Sequence, residues 1–493
     1  MINGIGKLVY EQRVEKLKNA YEQRLIQTNR QIVMLHVVYV VANPSICGAT
    51  KIIFDQANKL IEKGIAVTIV SYGERPTWYQ LKAHYIEVPS KLRISLLIPK
   101  CHIIIATYYT HIQECIETEI APVIYFEQGD IHLFNYEKLK VDHKGFVYTQ
   151  FQLPKFIMTV SQLTARLIKQ YFKRDAKIIP NAIDPNTFNN KWTEENYKCE
   201  EKYLLIMGRE DVVFKGIEEV VAVFNGLKEL NKELKLYWIT PYPPSKSFEC
   251  IISKVIINPS QNQISQLFKG ATFYISASYY ESFSLPVLEA MASGCPVISA
   301  DNEGVKEYGI DRYNLLLYEK GNLQDMAKNM LELMKNDRLR DNLVKNGFLT
   351  VEKYNWKDSI EKLYEYLCQI AQYEVLTCHM LKNNNPKRGF NNMLEIFDYA
   401  NELYKNEVYE EAIYFLNEFI NYGSSNTDKK IEAYRLRYWA YYFLDNLKEA
   451  RQQCFLTFEL GIPQMKECCF LGQSFLDEAR IEEASFWFEK AID

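Results

Sequence analysis

The stretch Ile32-Val-Met-Leu-His-Val-Val-Tyr-Val-Val41, then Asn43-Pro-Ser-Ile-Cys-Gly48, Ala49 to Lys63, Gly64 and Ala66 to Val70, decides the fold class. Its first run is apolar without alternation, as a strand buried on both faces must be. The Asn-Pro-Ser turn opens a helix, Gly64 stops it, and a second apolar run follows. Strand, helix, strand in that order is the unit of a parallel sheet covered on both sides. Further strands are predicted at His102 to Ala106, Val123 to Phe126 and Phe156 to Val160.

A second series begins at Tyr203-Leu-Leu-Ile-Met-Gly208. It continues through Leu236 to Ile239, Thr272 to Ser276, Pro296 to Ser299 and Leu315 to Tyr318. The pattern predicts an α/β protein with two doubly wound, Rossmann-like domains, residues 32–180 and 181–355, joined near Pro180-Asn-Ala-Ile-Asp184. Ligands of such sheets lie beyond the carboxyl ends of the strands, which puts the site in the cleft between the domains.

Residues 7 to 30 have helical apolar spacing (Tyr10, Val14, Leu17, Tyr21, Leu25), so residues 1–31 read as an N-terminal helix, packed on its own protein rather than on a membrane surface. Asn383-Asn-Asn-Pro-Lys-Arg-Gly389 marks a linker over 383–392. Beyond it, residues 393–493 are helical, and Glu411-Ala412, Glu449-Ala450 and Glu483-Ala484 recur at separations of 38 and 34 residues. Small residues also sit at Ala400, Gly472 and Ala491. This resembles tetratricopeptide repeats, an all-α module expected to bind a partner molecule, cap the domains before it, or join two copies as a homodimer.

The 493 residues carry a net charge of -4, with no basic footprint for nucleic acid. The 11 cysteines are scattered without a Cys-x-x-Cys, so reduced thiols and a cytoplasmic location are expected rather than a zinc site or disulfide framework. No apolar run reaches transmembrane length. His36 within an apolar strand reads as core, and no spacing links His102, His111 and His132 to a metal.

The chemistry gathers in Glu281-Ser-Phe-Ser-Leu-Pro-Val-Leu-Glu289, with Ala-Met-Ala-Ser-Gly294-Cys-Pro after it. Ser284 is the expected N-cap, Pro286 suits a first turn, and Gly294 is the stop. The unpaired first-turn amides around Phe283, Ser284 and Leu285 offer an anion site at the positive helix end. Two carboxylates beside such a cradle make sense if they hold hydroxyls, as in a ligand that joins a sugar to a diphosphate. Gly208-Arg209 follows the first strand of that domain and Lys215-Gly216 opens its next helix, so two cations can neutralise the diphosphate without metal. Gly48 is the matching turn across the cleft. An Asp-x-Asp pair, a P-loop and a G-x-G-x-x-G are all absent from the sequence.

The glutamate pair, Gly208-Arg209 with Lys215-Gly216, and Ile179-Pro-Asn-Ala-Ile-Asp184 resemble family 4 glycosyltransferases of the GT-B fold. So do Ile46-Cys-Gly-Ala-Thr, the run from Ile61 to Val70, and Tyr354-Asn-Trp356 leading into a last helix that in this family crosses back onto the first domain (here residues 356–382). The likeness covers about residues 32 to 370. It implies retaining, metal-independent transfer from a nucleotide-diphosphate sugar, UDP-sugar favoured, to a saccharide or polypeptide acceptor, with no cofactor beyond that donor. Glu281 with Ser282 would hold the sugar and Glu289 the ribose. Arg209, Lys215 and the amides of Phe283 to Leu285 would hold the diphosphate, and the base would lie near Asn258. Two departures stand out: Gln128 replaces a histidine frequent at the end of the matching strand, and Cys47-Gly48 replaces a glycine pair. Other readings of the same fold are a nucleotide-sugar epimerase, which needs no acceptor, and a non-catalytic sugar-nucleotide-binding interaction protein.

Overall fold

The structure, a computed structural model, describes residues 13–18, 20–28, 31–90, 92–190, 202–244, 252–376, 393–422, 427–458 and 465–492. They form two compact units, Met1–Glu87 with Cys101–Thr377, and Val88–Lys100 with Cys378–Asp493. No helix among the described residues is long and apolar enough to cross a membrane.

The first unit holds a short strand β1 (Leu25–Gln27) and then the first large sheet. Its strands are β2 (His36–Val41), β3 (Ala66–Tyr72), β4 (His84–Val88), β5 (Ile103–Ala106), β6 (Val123–Glu127), β7 (Phe156–Thr159) and β8 (Lys177–Ile178). They lie in the order β4-β3-β2-β5-β6-β7-β8. The second sheet has the order β11-β10-β9-β12-β13-β14, from β9 (Tyr203–Met207), β10 (Lys235–Thr240), β11 (Lys254–Ile257), β12 (Phe273–Ser276), β13 (Val297–Ala300) and β14 (Leu316–Tyr318). All its pairings are parallel. In both sheets the winding reverses beside the first strand, between β2 and β5 and between β9 and β12, which is where such folds bind ligands.

Four helices position the site: α1 (Gly48–Glu62) after β2, α2 (Ile217–Leu230) after β9, α3 (Leu285–Ala292) after β12, and α4 (Trp356–Ile370). Strand β2 is shorter than its apolar run because Val33 and Met34 are exposed and outside the ladder. Helix α4 reaches the first lobe: the Ser359 hydroxyl donates to the Pro180 carbonyl at 2.6 Å, and Lys63 pairs with Glu361 at 2.5 Å.

The N-terminal segment departs from the continuous helix its spacing predicts. Residues 13–18 are helical, but Leu25–Gln27 is extended and pairs antiparallel with β15 (Tyr373–Val375). Residues 7–12 lie outside the described residues. Two groups hold the extended form: the β15 edge takes up the backbone hydrogen bonds, and the buried Gln23 amide donates to the Ala121 carbonyl at 3.0 Å while accepting from the Val123 N–H at 2.8 Å. Tertiary partners here outweigh local periodicity.

The second unit is helical: α5 (Met393–Lys405), α6 (Tyr409–Tyr422), α7 (Thr427–Phe443), α8 (Leu447–Phe458), α9 (Met465–Asp477) and α10 (Ile481–Ile492). Helices pack as successive pairs, α5 on α6, α7 on α8 and α9 on α10. Phe397 against Phe419 and Tyr399 against Phe415 make the first pair antiparallel. Ala412, Ala450 and Ala484, the recurring small residues, are all buried, as close helix approach requires. Arg93 forks onto the Glu411 carboxylate at 3.0 and 3.4 Å, both residues belonging to this unit. The linker over 383–392 lies outside the described residues.

Candidate active site

The loop between β12 and α3 carries Glu281 to the mouth of a pocket of about 300 Å³. Phe283 is buried against Tyr308 and Tyr354, with ring centroids 5.4 and 5.3 Å away, and this aromatic base holds the loop from below. The Tyr308 hydroxyl donates to the Ser284 carbonyl at 2.7 Å. Ser284 itself differs from the extended N-cap expected of it. It adopts the left-handed conformation (φ 56°, ψ 59°) and its side chain caps nothing. The tight turn brings Phe283, Ser284 and Leu285 together on the pocket wall, with Pro286 in the first helical turn. First-turn amides have no intrahelical acceptor, so this wall has N–H groups to offer an anion.

Lys215 stands opposite, at the end of the turn that follows β9, and its ammonium lies 2.6 Å from a Glu281 carboxylate oxygen. That turn depends on Gly216, whose φ is +63° and whose Cβ, if present, would sit 2.5 Å from the Ala277 carbonyl oxygen. The first lobe contributes Gly48, Gln128 and Gly129 to the same pocket, and the connection between the lobes contributes Asn181. Gln128 is anchored twice: its side-chain amide donates to the Ala49 carbonyl at 3.3 Å, and its main-chain carbonyl accepts the Ser282 hydroxyl at 2.6 Å across the cleft. Gly129 (φ +96°) allows that approach, since a Cβ there would lie 2.3 Å from Ser282 Cβ.

Of the residues proposed from sequence, Glu281, Lys215, Gly48, Gln128, Ser282, Phe283, Ser284 and Leu285 therefore line one pocket. Arg209, Glu289 and Asn258 do not line it. Arg209 is half exposed and pairs with Asp211, its guanidinium over the Tyr242 ring. Asn258 has a left-handed backbone (φ 47°) and its amide donates to the Pro241 carbonyl at 3.0 Å.

Glu289 is buried, 5% exposed, and meets Lys51 of α1 at 3.6 Å. Burial pushes the Glu289 carboxyl up to about 7, although Lys51 draws it down. For Lys51, burial works against the charge, but Glu289 and Asp55 outweigh it and the ammonium stays above its ordinary range. Lys51 and Asp55 are one helical turn apart and legible as a local pair; nothing in the sequence indicated that Glu289, from the other lobe, would complete it.

A second group that spacing did not indicate lies behind Gln128. The buried Glu127 carboxylate accepts the Gly129 and Asp130 N–H groups at 2.6 and 2.8 Å and the Tyr125 hydroxyl at 2.6 Å. His132 sits between Glu127 at 3.2 Å and Asp130 at 3.4 Å. Burial alone would lower the His132 pKa, yet the two carboxylates raise it to about 9. Burial likewise opposes the Glu127 charge, and His132, Tyr125 and the loop amides hold its carboxyl below the usual range. This charged core fixes the loop that presents Gln128.

Comparison with known proteins agrees with this geometry. Residues 189–350 match the model for "Glycosyl transferases group 1". An uncharacterized glycosyltransferase of Methanocaldococcus jannaschii is 34% identical over 111 residues, 22% of this chain and 32% of that protein. One of Haemophilus influenzae is 22% identical over 345 residues, 64% of this chain and 94% of that protein. Among solved structures, Anabaena Alr3699/HepE in complex with UDP-glucose superposes with a TM-score of 0.58 at 13% identity, covering 68% of this chain and 99% of that one. The fold is GT-B, two Rossmann-like lobes facing a cleft. Within that fold, the match to group 1 glycosyl transferases covers residues 189–350, which lie in the second lobe.

Proposed function

We propose that the protein moves a hexosyl group from a nucleotide-diphosphate sugar, with UDP-sugar favoured, to a saccharide or polypeptide acceptor, with retention at the anomeric carbon and without a metal ion. The observation that carries this reading is the single pocket in which Glu281, Lys215 and the first turn of α3 face Gln128. The donor diphosphate would lie on the Phe283 to Leu285 amides and draw the Lys215 ammonium toward it, freeing Glu281 for the hydroxyls of the sugar. Arg209 would add its charge after leaving Asp211, and Glu289 would reach the ribose once Lys51 gives way. Asn258 would mark the base.

In the transfer itself the acceptor hydroxyl oxygen bonds to the anomeric carbon on the face the diphosphate leaves. The bond from that carbon to the diphosphate oxygen breaks, and the hydroxyl proton passes to the departing phosphate oxygen. Charge grows on that oxygen in the transition state, where the amides and Lys215 would act on it as donors already in place. The helices of 393–493, whose spacing resembles tetratricopeptide repeats, would bind the acceptor or a partner protein, or pair two copies.

The test is sugar release and transfer from a panel of UDP-sugars by the wild type and by Glu281→Ala. The variant is expected to lose about a hundredfold to a thousandfold in rate, roughly 3–4 kcal/mol, while UDP still raises the Tm of both. A variant that transfers sugar at the normal rate would place the reaction elsewhere. Epimerised donor formed without any acceptor would replace transfer by epimerisation.

A further inference from the structure

A second pocket, of about 670 Å³, adjoins the first, and Ile131, Phe214 and Tyr280 line both. We propose that this second pocket is the acceptor subsite and that it takes an uncharged saccharide; the assignment rests on the donor reading of the first pocket. Phe214 and Tyr280, the chain neighbours of Lys215 and Glu281, form the shared wall, so the second pocket opens beside the two side chains assigned to the diphosphate and the sugar.

Its walls have the two surfaces a neutral sugar needs. Tyr280 stacks near Phe134 with centroids 6.0 Å apart and meets Phe214 edge-on at 6.0 Å, a rigid aromatic corner against which the C–H face of a pyranose can pack. Val213, almost fully exposed, and Ile131 extend that apolar side. The other side is acidic, with Glu210, Asp211, Glu218 and Glu219. Glu219 accepts the Tyr279 hydroxyl through one carboxylate oxygen, and its second oxygen is enclosed without a hydrogen-bond partner among the described residues. Carboxylates on a pocket wall accept hydrogen bonds, and sugar hydroxyls donate them.

The same wall argues against an anionic acceptor. No Lys, Arg or His is among the described residues that line the pocket. The nearby cations, Arg209 and Lys215, are engaged, with Asp211 and Glu281 in this structure and with the diphosphate in the donor reading. A phosphate or carboxylate entering here would meet like charges with nothing to offset its lost hydration.

The test uses the full chain saturated with UDP and saturation-transfer NMR. Methyl glycosides of glucose, galactose, mannose and N-acetylglucosamine serve as neutral probes, and glucose 6-phosphate as the anionic one. At least one methyl glycoside is expected to bind and glucose 6-phosphate not to. Glu219→Gln should weaken the bound glycoside about tenfold, or 1.4 kcal/mol. Glu218→Lys, an exposed reversal on the rim that leaves the Tyr279 pair intact, should let glucose 6-phosphate bind. UDP affinity should stay within about twofold in both variants, since neither residue lines the first pocket. Glycoside binding untouched by both substitutions, no glycoside binding to the UDP-bound protein, or equal binding of glucose 6-phosphate by the wild type would each overturn the subsite. Failure of UDP to bind, with glycoside binding still sensitive to Glu219→Gln, would instead overturn the donor reading and leave the saccharide site standing.

Discussion

The two lobes share one winding, yet their first crossover turns do different work. In the first lobe the chain leaves β2, and Cys47 caps α1 by accepting the Thr50 N–H at 3.4 Å. Gly48 there has open space around it. In the second lobe the chain leaves β9 through a turn that Gly216 alone can close against Ala277, and that turn delivers Lys215 to the pocket. The sheet sets where a loop begins; the loop's backbone decides whether a charge arrives. Electrostatic support is divided in the same way. The first lobe holds its Gln128 loop with a charged core of Glu127, His132 and Asp130, while the acid of the second lobe, Glu289, is supported by a lysine from the first.

The contrast can be broken most sharply at Gly216. Gly216→Ala should cost about 3 kcal/mol in urea unfolding, because both a left-handed backbone and a backbone clash oppose the methyl group. A change below about 1 kcal/mol would mean that the turn relaxes freely and that Lys215 is not held by it.

Lys51→Met removes the cation that pairs with buried Glu289 and should cost about 2 kcal/mol at pH 8. The Glu289 carboxyl already stands at about 7 against an ordinary 4.5. A raised carboxyl contributes stability that is present below 4.5 and lost as pH rises through 7. Without Lys51 that loss grows, so the variant should be weakened more at pH 8, where both pairs are lost, than at pH 5, where the loss is that of the Asp55 pair. Equal destabilisation at both values would count against a charge effect.

The first lobe titrates in a different window. His132 is raised from 6.5 to about 9, so its stabilising charge is complete below 6.5 and disappears as pH rises through 9. His132→Gln should remove a decline on the order of 1–2 kcal/mol between pH 6.5 and 9 from the unfolding free energy, and leave the window set by Glu289 in place. Urea titrations at pH 6, 7.5 and 9 would separate the two.

The smallest effect is expected at Gly48→Ala. With nothing within 4 Å and a place at the start of α1, stability should change by less than about 0.5 kcal/mol. Any loss of UDP-sugar turnover would then be a pocket effect, because Gly48 lines it.

Most strands were legible because strands buried on both faces must be continuously apolar. Val37 to Val41 and Leu204 to Ile206 are buried in the positions their hydrophobicity foretold. The segment at Leu25 was not legible, since its extended form depends on β15, more than three hundred residues away. Glu281 and Lys215 could be marked from their motifs, but the left-handed Ser284 could not. Serine is a strong cap by propensity, and only the Phe283, Tyr308 and Tyr354 cluster beneath the loop overrides that preference.

What the sequence determined by itself is the pair of doubly wound lobes and the residue types gathered at their strand ends, because periodicity and turn chemistry are local. What only the tertiary structure decided is which of those residues meet. It put Lys215 on Glu281 and Lys51 on Glu289, turned Arg209 to Asp211, and enclosed His132 between two carboxylates. Such pairings depend on distances between lobes and on loss of water around the charges, and neither quantity is written in the spacing of residues along a chain.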